Sequence, residues 1–151
     1  MLSRRQLLKT SLVLAPIVAL PQIALAGEPE TFAVDGIAIR GADPVAFFTQ
    51  GGPVMGDAAH SYDWAGATWH FANAENRDMF AADPTAYAPQ FGGYCAFAAS
   101  KGALATSVPE AWTIYEGKLY LNFSVAVRQV WSEDIPGNIA LAEANWPGIL
   151  G

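Results

Sequence analysis

One thiol, two imidazoles and two internal thioethers are the groups in this sequence with the softness or nucleophilicity for redox or metal chemistry: Cys95, His60, His70, Met55 and Met79. Cys95 is the only cysteine, so a self-contained CxxC exchange is excluded. The simplest chemistry is one-cysteine redox, in which a thiolate attacks a peroxide or disulfide and an external thiol or redox partner resolves the product. Tyr94 and Tyr87 could hydrogen-bond near the sulfur, and His70 or His60 could supply a proton. A second chemistry is soft-metal binding, with Cys95, His60, His70 and Met55 holding a copper-type ion, although no ligand spacing marks it. The third is a non-catalytic module that offers some of its five tryptophans and five tyrosines to a small ligand or a partner protein.

An ordinary reading stands beside each of these. A lone cysteine flanked by Tyr94, Ala96 and Phe97 can be a small buried hydrophobe. The tyrosines and Met79 can be core filling, His60 a solvated loop residue and His70 a half-buried strand residue. Other chemistry is excluded more firmly. No glycine pair is followed by the Lys-Ser/Thr of a phosphate loop, and Glu133-Asp134 and Glu75 with Asp78 read as solvated faces.

The elements that must position Cys95 follow from local signals. Gly92 and Gly93 break the chain before an Ala-rich run that should be helical, with Lys101 and Gly102 as its last-turn cation and stop. That spacing puts Cys95 in the first turn of a helix, where free N–H groups and the positive dipole end favour a thiolate if water reaches it. Upstream, Asp35-Gly36 turns a short hairpin within Phe32 to Arg40, and Asp43-Pro44 caps and starts a helix carrying Val45, Phe47 and Phe48. A hairpin runs from Tyr62 to Phe71 through Ala65-Gly66-Ala67, and Asn73 caps a helix that Asp83-Pro84 stops. Downstream, the loop from Gly102 to Pro109 is a candidate lid, and Glu116-Gly117 turns a hairpin from Trp112 to Phe123. Ser124 caps a helix with Val127, Val130 and Trp131 on one face, and a last helix runs through Ile139, Ala142 and Trp146. Short hairpins and short helices in this order predict an α+β fold in a single small domain over 27–151.

The first 26 residues read as a twin-arginine signal peptide: Ser3-Arg4-Arg5-Gln6-Leu7-Leu8-Lys9, an apolar run to Ala24, and cleavage after about Ala26. The expected destination is the periplasm, with the twin-arginine export machinery as one partner. Pro16 and Pro21 interrupt the apolar run, so no stable membrane anchor is expected after cleavage. Of the chain's 8 basic and 14 acidic residues, the leader takes Arg4, Arg5 and Lys9 and no acid, leaving 5 against 14 and a net charge of −9. Nucleic acid and anionic membrane surfaces are poor partners for such a chain.

Several ordered motifs, GADPVAFF (41 to 48), ATWHFANAENRDMF (67 to 80), YAPQFGGYCAFA (87 to 98), WTIYEGKLYLNF (112 to 123) and EANWP (143 to 147), resemble the exported YHS-domain proteins. The resemblance is to the branch called YHS domain-containing (seleno)proteins and runs over nearly all of 27–151. It implies a YHS-like fold and, because some members carry selenocysteine at the position of Cys95, an accessible and reactive chalcogen there. The chain also departs from the pattern. Metal-binding YHS domains place thiolates in DPVC and FCSxxC motifs, and the matching positions here look like Ala46, Ala72 and Asn76, none of which is a thiolate.

Overall fold

The computed structural model describes residues 27–151, together with Ala15 and Pro16. The signal peptide expected over 1–26 otherwise lies outside the described residues. Among the described residues no helix is long and apolar enough to cross a membrane.

The chain opens with a minimal hairpin, β1 (Ala33–Val34) and β2 (Ile37–Ala38), turned at Asp35-Gly36 with φ of 51° and 80°. Two successive left-handed residues match the twist of the flanking strands, which is why an Asp-Gly pair sits there. After a 3₁₀ turn at Ile39–Gly41, Asp43 caps α1 (Pro44–Thr49). The strands β3 (Asp57–Trp64) and β4 (Ala67–Phe71) form the second hairpin. β2 then pairs parallel to β4, Ile37 opposite Thr68, giving a four-stranded sheet in the order β1-β2-β4-β3.

Asn73 caps α2 (Ala74–Ala82) through its side chain, and α3 (Pro84–Tyr87) follows directly. A 3₁₀ turn at Gln90–Gly93 leads into α4 (Ala96–Ser100). The remaining strands, β5 (Val108–Tyr115) and β6 (Lys118–Asn122), make a separate two-stranded sheet. Ser124 caps α5 (Val125–Trp131), and α6 (Ile135–Asn145) ends one residue before Trp146. The class is α+β.

β6 divides the interior. Leu119 and Leu121 join one core with Val45, Phe47, Trp69, Phe71 and Phe80. Strand alternation turns Tyr120 and Asn122 the other way, and Tyr120 enters a second core with Phe91, Ala96, Ala99, Trp131 and Ala142. A strand buried on both faces carries apolar residues at successive positions, which explains why Lys118–Asn122 shows no polar alternation.

Three local readings need correction. Cys95 is the N-cap of α4 and not a residue inside its first turn. Lys101 is the C-cap, and its Nζ lies 5.1 Å from the centre of the Phe97 ring. In α5 Trp131 is fully buried while Val130 is 47% exposed, because the larger ring fixes which side of the helix faces inward.

Two runs of three left-handed residues hold the middle of the molecule: Ile39, Arg40 and Gly41, and Phe91, Gly92 and Gly93. A β-branched residue in this region costs roughly 1–2 kcal/mol, so the surroundings must hold Ile39 in place. Ile39 N–H donates to Phe32 O at 3.0 Å, and Phe32 N–H donates to Gly92 O at 2.9 Å, which ties the two runs together. They also touch: a Cβ on Gly93 would lie 2.7 Å from Ile39 Cγ2, and one on Gly92 would collide with the carbonyl oxygen of Glu30. Glycine at 92 and 93 is required by close approach as well as by φ.

Candidate thiol site

Cys95 reaches its place because the left-handed run ends at Gly93 and Tyr94 returns to extended backbone, aiming the next residue across the start of α4. Its sulfur accepts a hydrogen bond from Ala98 N–H at 3.5 Å, satisfying one of the free donors of the helix start. The thiol lies 3.5 Å from Asn122 Oδ1 and donates to it. That same oxygen accepts Phe97 N–H at 3.0 Å, so Asn122, at the end of β6, clasps both sides of the α4 N-terminus. Cys95 is 1% exposed and Asn122 0%. The Nδ2 group of Asn122 is buried with no hydrogen-bond partner among the described residues.

The loop between α4 and β5 runs beside the site. Cys95 N–H donates to Ala105 O at 3.0 Å, and Ala103 N–H to Ala98 O at 3.0 Å. The far end of the loop is pinned by buried Ser107, whose hydroxyl donates to Gly93 O at 2.6 Å. Ser107 O in turn accepts Arg40 Nε–H at 2.8 Å. The candidate lid of the sequence is thus fastened to the cysteine's own backbone and to both left-handed runs. A shallow cleft lined by Glu28, Tyr94, Leu104, Ala105 and Thr106 marks its outer side.

The other residues singled out for chemistry are distributed differently. Tyr94 is buried next to Cys95 in sequence, but its hydroxyl donates to Pro29 O at 2.8 Å, away from the sulfur. Burial, followed by the negative charge of Glu28, raises its pKa. Tyr87 stacks edge-on against Phe48, with ring centres 5.6 Å apart. Met79 packs against the first core. His60 is half-buried in β3, beside the register break between Asp57 and Ser61.

His70 and Met55 come together. Both line a cleft with Val34, Asp35, Ile37 and Arg40, and His70 Nδ1 and Met55 Cε each lie 3.6 Å from the Cβ position of Gly41. Neither Cys95 nor His60 lines this cleft. Among the described residues no group of three or more His, Cys, Asp or Glu side chains converges in a way that could hold a metal.

Ala46, Ala72 and Asn76 meet around one buried carboxylate. Asp43 Oδ1 accepts Val45 N–H at 2.9 Å and Ala46 N–H at 3.3 Å. Its Oδ2 accepts Ala72 N–H at 2.9 Å and Asn76 Nδ2–H at 2.8 Å. All four donors are N–H groups, and they join α1, the end of β4 and α2 through a single side chain. The sequence shows the local cap; the two bonds from residues 29 and 33 positions away are invisible to it. Asn122 was missed for the same reason, since nothing local to β6 points to a cysteine 27 residues upstream.

No protein-family model, curated protein or solved structure matches the chain at a significant level.

Proposed function

We propose that this is an exported thiol-redox protein whose chemistry is centred on Cys95 and which is closed in the conformation described. The observation that carries the reading is the Asn122 carboxamide. Its oxygen is satisfied twice, once by the thiol, while its buried NH₂ has no partner among the described residues. Leaving such a donor unpaired costs about 1–3 kcal/mol. An oxygen added to Cys95 would be the acceptor this amide lacks.

The chemistry balances with two external reactants. A hydroperoxide ROOH is attacked by the Cys95 sulfur; an S–O bond forms, the O–O bond breaks, and ROH leaves with the thiol proton, giving the sulfenic acid. An external thiol then displaces water to give a mixed disulfide, and a second thiol releases reduced Cys95 with an external disulfide as product. Ala98 N–H stabilises negative charge on the sulfur during the attack. The Gly102–Ser107 loop must part for the peroxide to enter.

The test is sulfenic-acid trapping on the reduced, folded protein with hydrogen peroxide and dimedone, read by mass spectrometry. The expected result is an adduct on Cys95, with the sulfenic acid shortened in lifetime about fivefold in Asn122→Leu, which removes the amide at similar volume. Labelling that occurs only after denaturation would reduce Cys95 to a buried helix cap.

The convergence of His70 and Met55 around Gly41 favours a second reading, soft-metal binding. An imidazole and a thioether suit Cu(I) or a similar ion. Titration with Cu(I) against a competing chelator should show stoichiometric retention that falls in Met55→Leu. Full retention by the His70→Ala, Met55→Leu double variant would eliminate this site.

A further inference from the structure

A third cleft lies between the β5–β6 hairpin and α6. It has a volume of about 280 Å³ and is walled by Tyr115, Glu116, Lys118 and Tyr120 on one side and by Ile139 and Glu143 of α6 on the other. Tyr120 is 3% exposed. Its ring is covered by Trp131, with centres 5.5 Å apart, and by Phe91 at 6.1 Å. Tyr120 lines the cleft, and its hydroxyl makes no hydrogen bond among the described residues. A tyrosine 3% exposed whose hydroxyl has no protein partner keeps an acceptor that a ligand in the cleft can use.

The charges around it choose the ligand. Burial first, and then the negative charges of Glu143 and Glu116, raise the Tyr120 pKa, so both carboxylates act on the hydroxyl. With Lys118 the walls carry a net charge of −1, and neither glutamate is ion-paired with Lys118 among the described residues. Ile139 and Pro136 supply an apolar floor. With Trp131 and Phe91 packed against the ring, the hydroxyl oxygen is the part of Tyr120 left to meet a cation, as an acceptor of its N–H. That selects an ammonium carrying N–H groups over a quaternary one.

We propose that the cleft between the β5–β6 hairpin and α6 is a binding site for a small primary amine, whose ammonium sits between Glu116, Glu143 and the Tyr120 hydroxyl with its carbon chain against Ile139. This assignment is independent of the thiol reading, since none of these residues hydrogen-bonds Cys95 or Asn122 through a side chain.

The test is titration of the ¹⁵N-labelled protein with n-butylammonium, followed by amide shifts in β6 and α6. Saturable shifts confined to these elements are expected, with binding weakened about tenfold in Glu143→Gln and severalfold in Tyr120→Phe. Lys118→Gln, which removes the one repulsive charge, should tighten it by about threefold. Glu143 and Lys118 are exposed, so their variants report on binding without disturbing the core. Tetramethylammonium or neutral n-butanol binding as well as n-butylammonium would overturn the proposal, as would unchanged affinity in both Glu143→Gln and Tyr120→Phe. Absence of saturable shifts in the wild-type protein would overturn it outright.

Discussion

Asp43 and Asn122 are both fully buried, and they are opposite cases of polar burial. Asp43 has every acceptor direction met by an N–H, so its desolvation is offset by four bonds, each strengthened by the carboxylate charge. Replacing it by Asn keeps the shape but turns one oxygen into an NH₂ that faces two donors. Asp43→Asn should therefore lower the unfolding free energy by about 3 kcal/mol, seen as a lower urea midpoint at unchanged m value. A loss under about 1 kcal/mol would mean that the bonds from Ala72 and Asn76 contribute little. Asn122, by contrast, keeps a donor in reserve. Reserve of that kind costs stability; Trp131 Nε1 is a second buried donor without a partner among the described residues, and what sets Asn122 apart is that its own oxygen is bonded to the thiol.

The loop between α4 and β5 decides whether the sulfur is ever reached. Its hinge is Ser107, fastened to Gly93 on one side and to Arg40 on the other. Ser107→Ala removes the shorter bond, worth about 1 kcal/mol, and should raise the population of the open loop about fivefold. Iodoacetamide labelling of Cys95 in the folded protein should accelerate by that factor while the urea midpoint falls only slightly; equal rates in both proteins would show that access does not run through this loop. The elements around this loop were legible where their causes are local. Asp43, Asn73 and Ser124 all cap as their residue types predict, and the three turns at Asp35-Gly36, Ala65-Gly66 and Glu116-Gly117 all take two left-handed residues. What the sequence withheld is non-local. The parallel pairing of β2 with β4, the reach of Arg40 to Ser107, and the meeting of Cys95 with Asn122 are set by packing between segments tens of residues apart. The same holds for site chemistry: the sequence offered His60, His70, Tyr87 and Tyr94 as company for Cys95, and among the described residues the side-chain hydrogen-bond partner of its sulfur is Asn122.

For the molecule as a whole, the two cores meet across β6, so changes in one are felt in the other. Tyr94 and Tyr120 both have pKa values raised above the ordinary 10.0, by burial first and then by nearby negative charge. Above pH 10 the unfolded chain therefore gives up phenolic protons that the folded chain keeps. Binding fewer protons when unfolded makes stability fall as pH rises. The tyrosine contribution is whole below the ordinary value and is lost as the pH climbs through the folded-state values. Urea midpoints should decline between about pH 9 and about pH 11, and the decline should be shallower in Tyr120→Phe; a profile flat across this range, or equally steep in the variant, would remove the phenols as its cause. The two left-handed runs that meet at Ile39 and Gly93 carry a last consequence, for inheritance. With Ile39 Cγ2 filling the space where a side chain at 93 would begin, position 93 cannot change before position 39 does. Gly93→Asn, a residue type that tolerates the backbone angle, becomes viable only on a background where position 39 has already shrunk, so substitutions at the two sites should be accepted in pairs and in that order.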